Sequence, residues 1–246
     1  MLTKNILKLS RPLQVPLVSI AGYAGVMSAM PGPIELDGPL AGESPAFRAA
    51  RENAEPTRTN ATPAAAFIAA RRMFLKGQRV DMLALAAQLG VSRATVYRWT
   101  GHRERLLADV LWSLSDEVFE QARADHPEHT GVKRLLEIFS QHVGVLVRAQ
   151  PLHTFLRQET HAALRILTSR DGGVQSRTVG KLAELYREEH QSGAFKPRTD
   201  VGTLAYAVVR VTEGFIYNDA IIGGAPIVTV EPEVERAAQI VALLLD

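Results

Sequence analysis

The chain has 246 residues, 46% of them hydrophobic, and a formal net charge of +2, enough to bury a sizeable core in one large domain or two small ones. It contains no cysteine, which excludes a disulfide framework, thiolate-bound metals and cysteine nucleophiles, and fits a reducing cytoplasm. No run of eighteen or more apolar residues occurs, so no membrane span is expected.

Residues 1–61 hold seven of the thirteen prolines (Pro12, Pro16, Pro31, Pro33, Pro39, Pro45 and Pro56), with Gly, Ser and Ala filling the gaps. That composition predicts a disordered N-terminal extension. Lys4, Lys8 and Arg11 ahead of Val15–Met30 loosely imitate a signal peptide, but Pro16, Gly22 and Gly25 interrupt the apolar stretch, and export is not expected.

Order is expected from Thr62, whose hydroxyl can cap a helix that has Pro63 at its first position. Phe67, Ala70 and Phe74 then give an amphipathic face, and Gly77 ends the helix. Asp81 can cap a second helix, Met82–Leu89, and Ser92 a third, Arg93–Trp99. Thr100-Gly101 breaks the chain, and a long helix follows from about His102 to Ala124 with Leu107, Val110, Leu111, Leu114 and Val118 as its buried stripe. Further helices are predicted around 135–146, over 152–168, 174–191, 201–222 and 232–245, with turns at Asp171-Gly172-Gly173 and Gly223-Gly224-Ala225-Pro226. Ile227–Val230 is β-like but short and isolated, and is read as loop. The fold class is therefore all-α.

The most informative stretch runs from Leu85 to Trp99. Ala86 is small, as two closely crossing helices require. Gly90 can take positive φ in a tight turn, and Val96 points back from the second helix into a shared core. Leu85, Leu89, Val91 and Trp99 fill the other inward positions, leaving Arg93, Thr95, Tyr97 and Arg98 outward. This is the spacing of a helix-turn-helix whose second helix enters the major groove. Charge agrees. Between Arg71 and Arg105, eight basic residues (Arg71, Arg72, Lys76, Arg79, Arg93, Arg98, Arg103, Arg105) face only Asp81 and Glu104, a local surplus of six on a nearly neutral chain.

A capped helix, a helix-turn-helix, a long linking helix and an all-helical remainder resemble the TetR family of transcriptional regulators. The segment Gly90–Trp99 followed by Arg103-Glu104 and Leu106-Leu107 carries the resemblance. It implies a DNA-binding domain over 62–108 and a larger ligand-binding and dimerisation domain over 109–246. It also implies DNA contacts from Thr95 and Tyr97, and Arg103 in the place of a lysine that meets phosphate. With the neighbouring groups, the expected DNA-contacting set is Ser92, Arg93, Thr95, Tyr97, Arg98, Trp99 and Arg103. Trp99-Thr100 stands where the family usually has His-Phe. The look of 187–222 is similar to regulators of the QsdR type, which are associated with control of acyl-homoserine lactone degradation.

The family resemblance further implies a homodimer that binds a near-palindromic operator on double-stranded DNA. The helices at 200–222 and 232–245 would pair across a two-fold axis, and the stripes Leu204, Val208, Val211, Phe215 and Ile240, Leu243, Leu244 suit that role. The expected activity is a cytoplasmic repressor released by a small hydrophobic effector, a lactone among the possibilities. The alternative is a regulator without ligand. Polar or aromatic groups set in apolar helices are the candidate effector contacts: Phe155, Tyr186, Tyr206, Arg210, Glu213, Tyr217 and Asn218.

A helical enzyme is the remote alternative. Seven histidines invite that reading. However, His126 and His129 lie in a turn with no third ligand nearby, Glu159 and His161 would point to different faces of a helix, and His142 and His153 are isolated. No phosphate-binding glycine loop, nucleophile elbow or His-Glu-x-x-His occurs. No cofactor, metal or catalytic residue is expected.

Overall fold

The computed structural model describes residues 43–52, 61–168, 173–222 and 230–246, with the side chains of 218–222 and 230–233 left out. Among the described residues there are eleven helices and no strand: α1 (Pro45–Glu52), α2 (Pro63–Leu75), α3 (Met82–Leu89), α4 (Arg93–Thr100), α5 (Arg103–Asp125), α6 (Gly131–Arg148), α7 (Gln150–Gln158), α8 (Thr160–Thr168), α9 (Val174–Gln191), α10 (Val201–Ile222) and α11 (Val230–Leu245).

The helix starts follow local capping chemistry. Thr62 accepts from the Ala65 amide at 3.1 Å with Pro63 at the first position. Asp81 Oδ1 accepts from Leu83 and Ala84 at 2.9 and 2.8 Å, and those amide bonds hold its carboxyl below the ordinary range. Ser92 accepts from Thr95 at 3.1 Å, and His102 Nδ1 from Arg105 at 3.1 Å. Asp200 does the same for α10 through Thr203, at 2.8 Å.

Three departures from the sequence reading have physical causes. Residues 45–52, placed in the disordered extension, form a docked helix, while 1–42 and 53–60 lie outside the described residues. Ser44 caps α1 by accepting from the Phe47 amide at 3.2 Å. Ala46 and Phe47 are buried, with the Phe47 ring 5.0 Å from that of Phe67 on α2. The single helix expected over 152–168 is two, because Glu159 leaves the helical region (φ −134, ψ 45) and turns its carboxylate to Arg103 at 2.7 Å and Arg79 at 3.6 Å. The last helix begins at Val230, two residues before the expected start. Of the expected isolated apolar loop, 227–229 lie outside the described residues.

α5, about 35 Å long at 23 residues, runs from the α2–α4 module into the body formed by α6–α11. Buried apolar side chains make one continuous cluster through both parts. Phe74 on α2 meets Phe155 on α7 edge to face, with centroids 5.9 Å apart. At the start of α5 a wholly buried carboxylate, Asp109, ties three elements together. Its Oδ2 accepts from the Ser44 amide at 3.1 Å, and its Oδ1 accepts from Arg177 of α9 at 3.0 Å.

Of the six described glycines with positive φ, Gly90 and Gly131 need it for different reasons. Gly90 (φ 65) closes the α3–α4 turn, and a Cβ there would meet nothing within 4 Å. Gly131 (φ 63) opens α6, where a Cβ would collide with the Ala194 carbonyl oxygen. Gly90→Ala is therefore expected to cost about 1 kcal/mol from backbone strain alone, whereas Gly131→Ala adds a backbone clash for roughly 2–4 kcal/mol in all. Urea denaturation of the two variants side by side checks this. Equal losses would mean that the approach of Ala194 is not tight.

Candidate functional site

The α3–α4 pair is built as its spacing requires. Leu85 and Val96 are fully buried and Ala86 nearly so. The Gly90 turn returns the Val91 amide to the Ala86 carbonyl at 3.1 Å. On the other side of α4, Ser92, Arg93 and Arg98 are exposed, while Thr95, Tyr97 and Trp99 are half-buried. The face is partly ordered in advance. Arg93 Nη2 donates to Tyr97 Oη at 3.0 Å, with its guanidinium 5.2 Å from that ring's centroid, and Thr95 Oγ1 lies 2.9 Å from Ser92 Oγ. Tyr97 and Trp99 also pack against the core. A short helix that presents hydroxyls and guanidiniums from one face matches what base edges and phosphates accept.

The body encloses a cavity with about 970 Å³ of space between its walls, its open mouth included. Leu111, Trp112 and Phe119 of α5, Ile138 and Val143 of α6, and Val208 and Ile216 of α10 make it mainly apolar. Its charged groups and most of its other polar groups are already partnered. Ser115 Oγ lies 3.1 Å from His142 Nε2. Lys181 Nζ meets Asp116 at 2.8 Å and also Glu120. Glu213 accepts from Gln175 at 2.7 Å and from Arg210 at 2.6 Å. Burial raises the Glu213 carboxyl, against the lowering effect of those two partners. Burial also pushes His142 down to about 4, so its ring is neutral at pH 7.

That neutral imidazole makes stability pH-dependent. Unfolded, the ring protonates below its ordinary 6.5; folded, it does not until about 4. The unfolded state therefore binds the extra proton, and stability falls as pH drops from 6.5 to about 4, by at most about 3 kcal/mol. His142→Gln is expected to flatten the pH dependence of the urea midpoint over that interval. A slope unchanged by the substitution would show that other groups cause it.

Residues 130–246 match the family model described as Tetracyclin repressor-like, C-terminal domain. The whole fold is similar to the R. erythropolis transcriptional repressor QsdR from the TetR family: TM-score 0.64, 26% identity, covering 73% of this chain and 92% of that one. Over residues 130–246, and in fold, the chain resembles regulators of the TetR family. Two further solved structures are more distant in sequence. The transcriptional regulator FadR from Bacillus subtilis, in complex with stearoyl-CoA, has TM-score 0.50 and 16% identity, covering 75% of this chain and 98% of that one. The fatty acid degradation regulator FadR from Bacillus halodurans has TM-score 0.48 and 16% identity, with 73% and 93% covered. No curated protein matches the sequence. These likenesses support a DNA-binding transcriptional regulator.

Several of the expected site residues have partners or positions of their own within the protein. Arg103 is engaged inside the chain. Its Nε donates to the Val80 carbonyl at 2.6 Å and its Nη2 to Glu159 at 2.7 Å, clamping the α2–α4 module to the α7–α8 break. Of the candidate effector contacts, Glu213 and Tyr217 line the cavity. Phe155, Tyr186, Tyr206 and Arg210 do not. Phe155 packs on Phe74, Tyr186 is buried against Phe195 with centroids 5.9 Å apart, Tyr206 is half-buried elsewhere, and Arg210 pairs with Glu213 from outside the lining. The Asn218 side chain lies outside the described residues. Sequence reasoning missed Ser115, Asp116, His142, Gln175, Thr178 and Lys181, which α5, α6 and α9 bring to one wall. The available signal was polar residues falling on the apolar stripe of α5 and α6.

The dimer stripes also divide. Leu204 and Val208 are buried within the protomer, whereas Ile240 and Leu243 of α11 are 37% and 74% exposed. Among the described helices none is long and apolar enough to cross a membrane.

Proposed function

We propose that the protein is a ligand-responsive repressor, acting in the cytoplasm as a homodimer on a near-palindromic operator. Residues 62–108 form the reading head, and 109–246 hold the effector and the dimer contact. Ser92, Arg93, Thr95, Tyr97 and Arg98 carry the DNA contacts, with Trp99 holding the helix in place. Phosphate contacts dominate affinity and make it fall steeply with salt. The exposed Leu243 and Ile240 of α11 support pairing of two copies, since a monomer leaves them in water.

The observation that carries ligand response is the apolar cavity walled by α5, the same helix whose first turn holds the reading head. Each charged group in its wall has a partner, so a charged guest would have to break an ion pair or bury a bare charge. An uncharged molecule with an apolar tail and one hydrogen-bonding end, such as a lactone or ester, suits it best. It acts by favouring one spacing of the two heads over another.

Selection of bound duplexes from a random pool tests the reading, followed by thermal shift against hydrophobic lactones and esters. A two-fold symmetric consensus, with an effector that raises melting temperature and releases the duplex, is expected. A consensus without symmetry would overturn the dimer. Failure of every apolar effector would overturn the ligand response.

A further inference from the structure

The turn from α5 to α6 gathers two imidazoles and a carboxylate from twelve consecutive residues. His126 follows the last turn of α5, His129 lies in the connection, and Glu137 stands in the second turn of α6. Their ligand atoms all lie within 4.8 Å of one another, and each residue is half-buried. Contrary to the sequence reading, a third ligand is nearby: Glu137, brought in by the fold-back of α6.

The second layer around His126 is built in order. Asp125 accepts from Gln121 at 2.7 Å and from the Gln141 amide nitrogen at 2.5 Å. Gln141 must therefore turn its carbonyl to His126, where Oε1 lies 2.9 Å from Nε2. With Nε2 turned to that carbonyl, His126 presents Nδ1 to Glu137, 3.8 Å from its Oε2. The two atoms face each other near the ligand–ligand separation across a tetrahedral divalent ion, roughly 3.4 Å for bonds of about 2.0–2.1 Å. His129 Nδ1 is 2.6 Å from the same oxygen, with a proton now between them. A metal-binding histidine whose other ring nitrogen is fixed by an acceptor is the usual second-layer arrangement.

We propose that His126, His129 and Glu137 form a binding site for one borderline divalent ion of the zinc type, with its fourth position open to solvent. Two imidazoles and one carboxylate select this class over magnesium or calcium, which take oxygen donors. Lys133 opposes binding. Its ammonium donates to His129 Nε2 at 2.7 Å, which keeps the proton on Nδ1, where the metal must bind. Coordination moves that proton to Nε2 and displaces the lysine, which is exposed. The ion would then bridge the far end of α5 to α6.

The test is titration of the tag-free full-length protein with zinc chloride against a chromophoric chelator, with magnesium as control. One zinc per chain is expected, with no competition from magnesium. Glu137→Gln and His126→Ala should each weaken binding at least tenfold, and Gln141→Ala roughly tenfold to a hundredfold although it is not a ligand. Lys133→Ala should strengthen it several-fold, an outcome that surface histidines binding zinc at random would not give. Circular dichroism confirms that the variants fold. Absence of stoichiometric zinc, or zinc binding that Glu137→Gln and Lys133→Ala leave unchanged, overturns the site. Neither result bears on DNA recognition by α4.

Discussion

Arg98→Ala is expected to weaken binding to the selected duplex by roughly 30-fold to 10⁴-fold while leaving the melting temperature nearly unchanged. Arg98 is exposed on α4, so its removal creates no cavity. A lost arginine contact to a base edge or phosphate costs about 1–3 kcal/mol, and a symmetric dimer loses it twice. Tyr97 behaves differently because it is half-buried and orders Arg93 through both its hydroxyl and its ring. Tyr97→Phe keeps the ring under the guanidinium and should cost less DNA affinity than Tyr97→Ala, which also gives up packing. Fluorescence anisotropy across a salt series separates the causes. If Arg98 meets a phosphate, the slope of log K against log salt falls by about one per protomer. Affinity within twofold of the unmodified protein for Arg98→Ala and Tyr97→Ala alike would remove α4 from the interface.

Asp109→Ala is expected to be the most destabilising single change in the body, at roughly 3–5 kcal/mol, or a melting temperature lower by roughly 6–20 °C for a chain of this size. The carboxylate is wholly buried. Its loss takes the counter-charge from Arg177 and the acceptor from a Ser44 amide that is itself inaccessible to water. Asp109→Asn retains one acceptor and should fall between. A double-mutant cycle with Arg177→Ala isolates the pair, and the double variant should be less damaged than the sum of the two singles. Additive losses would mean that the ion pair contributes little and that α1 is held by Phe47 alone.

What was legible in the sequence and what was not divide by distance along the chain. Thr62-Pro63, Asp81, Ser92 and the Gly90 turn were readable because a cap or a tight turn is settled within four residues. The Ser44-Pro45 start of α1 uses the same chemistry, but the surrounding proline-rich composition masked it. The break at Glu159 could not be read locally, since it depends on Arg103, fifty-six residues earlier. The cavity was misplaced for a related reason. Aromatic identity shows that Phe155 and Tyr186 are buried, yet only packing decides whether a buried ring faces another ring or a gap. Lys181 gave no such hint, because it looked like an ordinary polar position on an amphipathic helix. Glu137 was likewise invisible as a neighbour of His129 until α6 folded back.

The stretch ahead of the reading head is not a dispensable leader. Asp109 draws one of its two partners from a residue sixty-five positions upstream. A protein shortened to begin at Thr62 would thus strip a submerged carboxylate of its amide and open Phe67 to water. A protease cut anywhere in 53–60 would sever the covalent tether but spare the docked segment's own contacts. Nicking and truncation at nearly the same place should therefore have very different consequences for the molecule's survival.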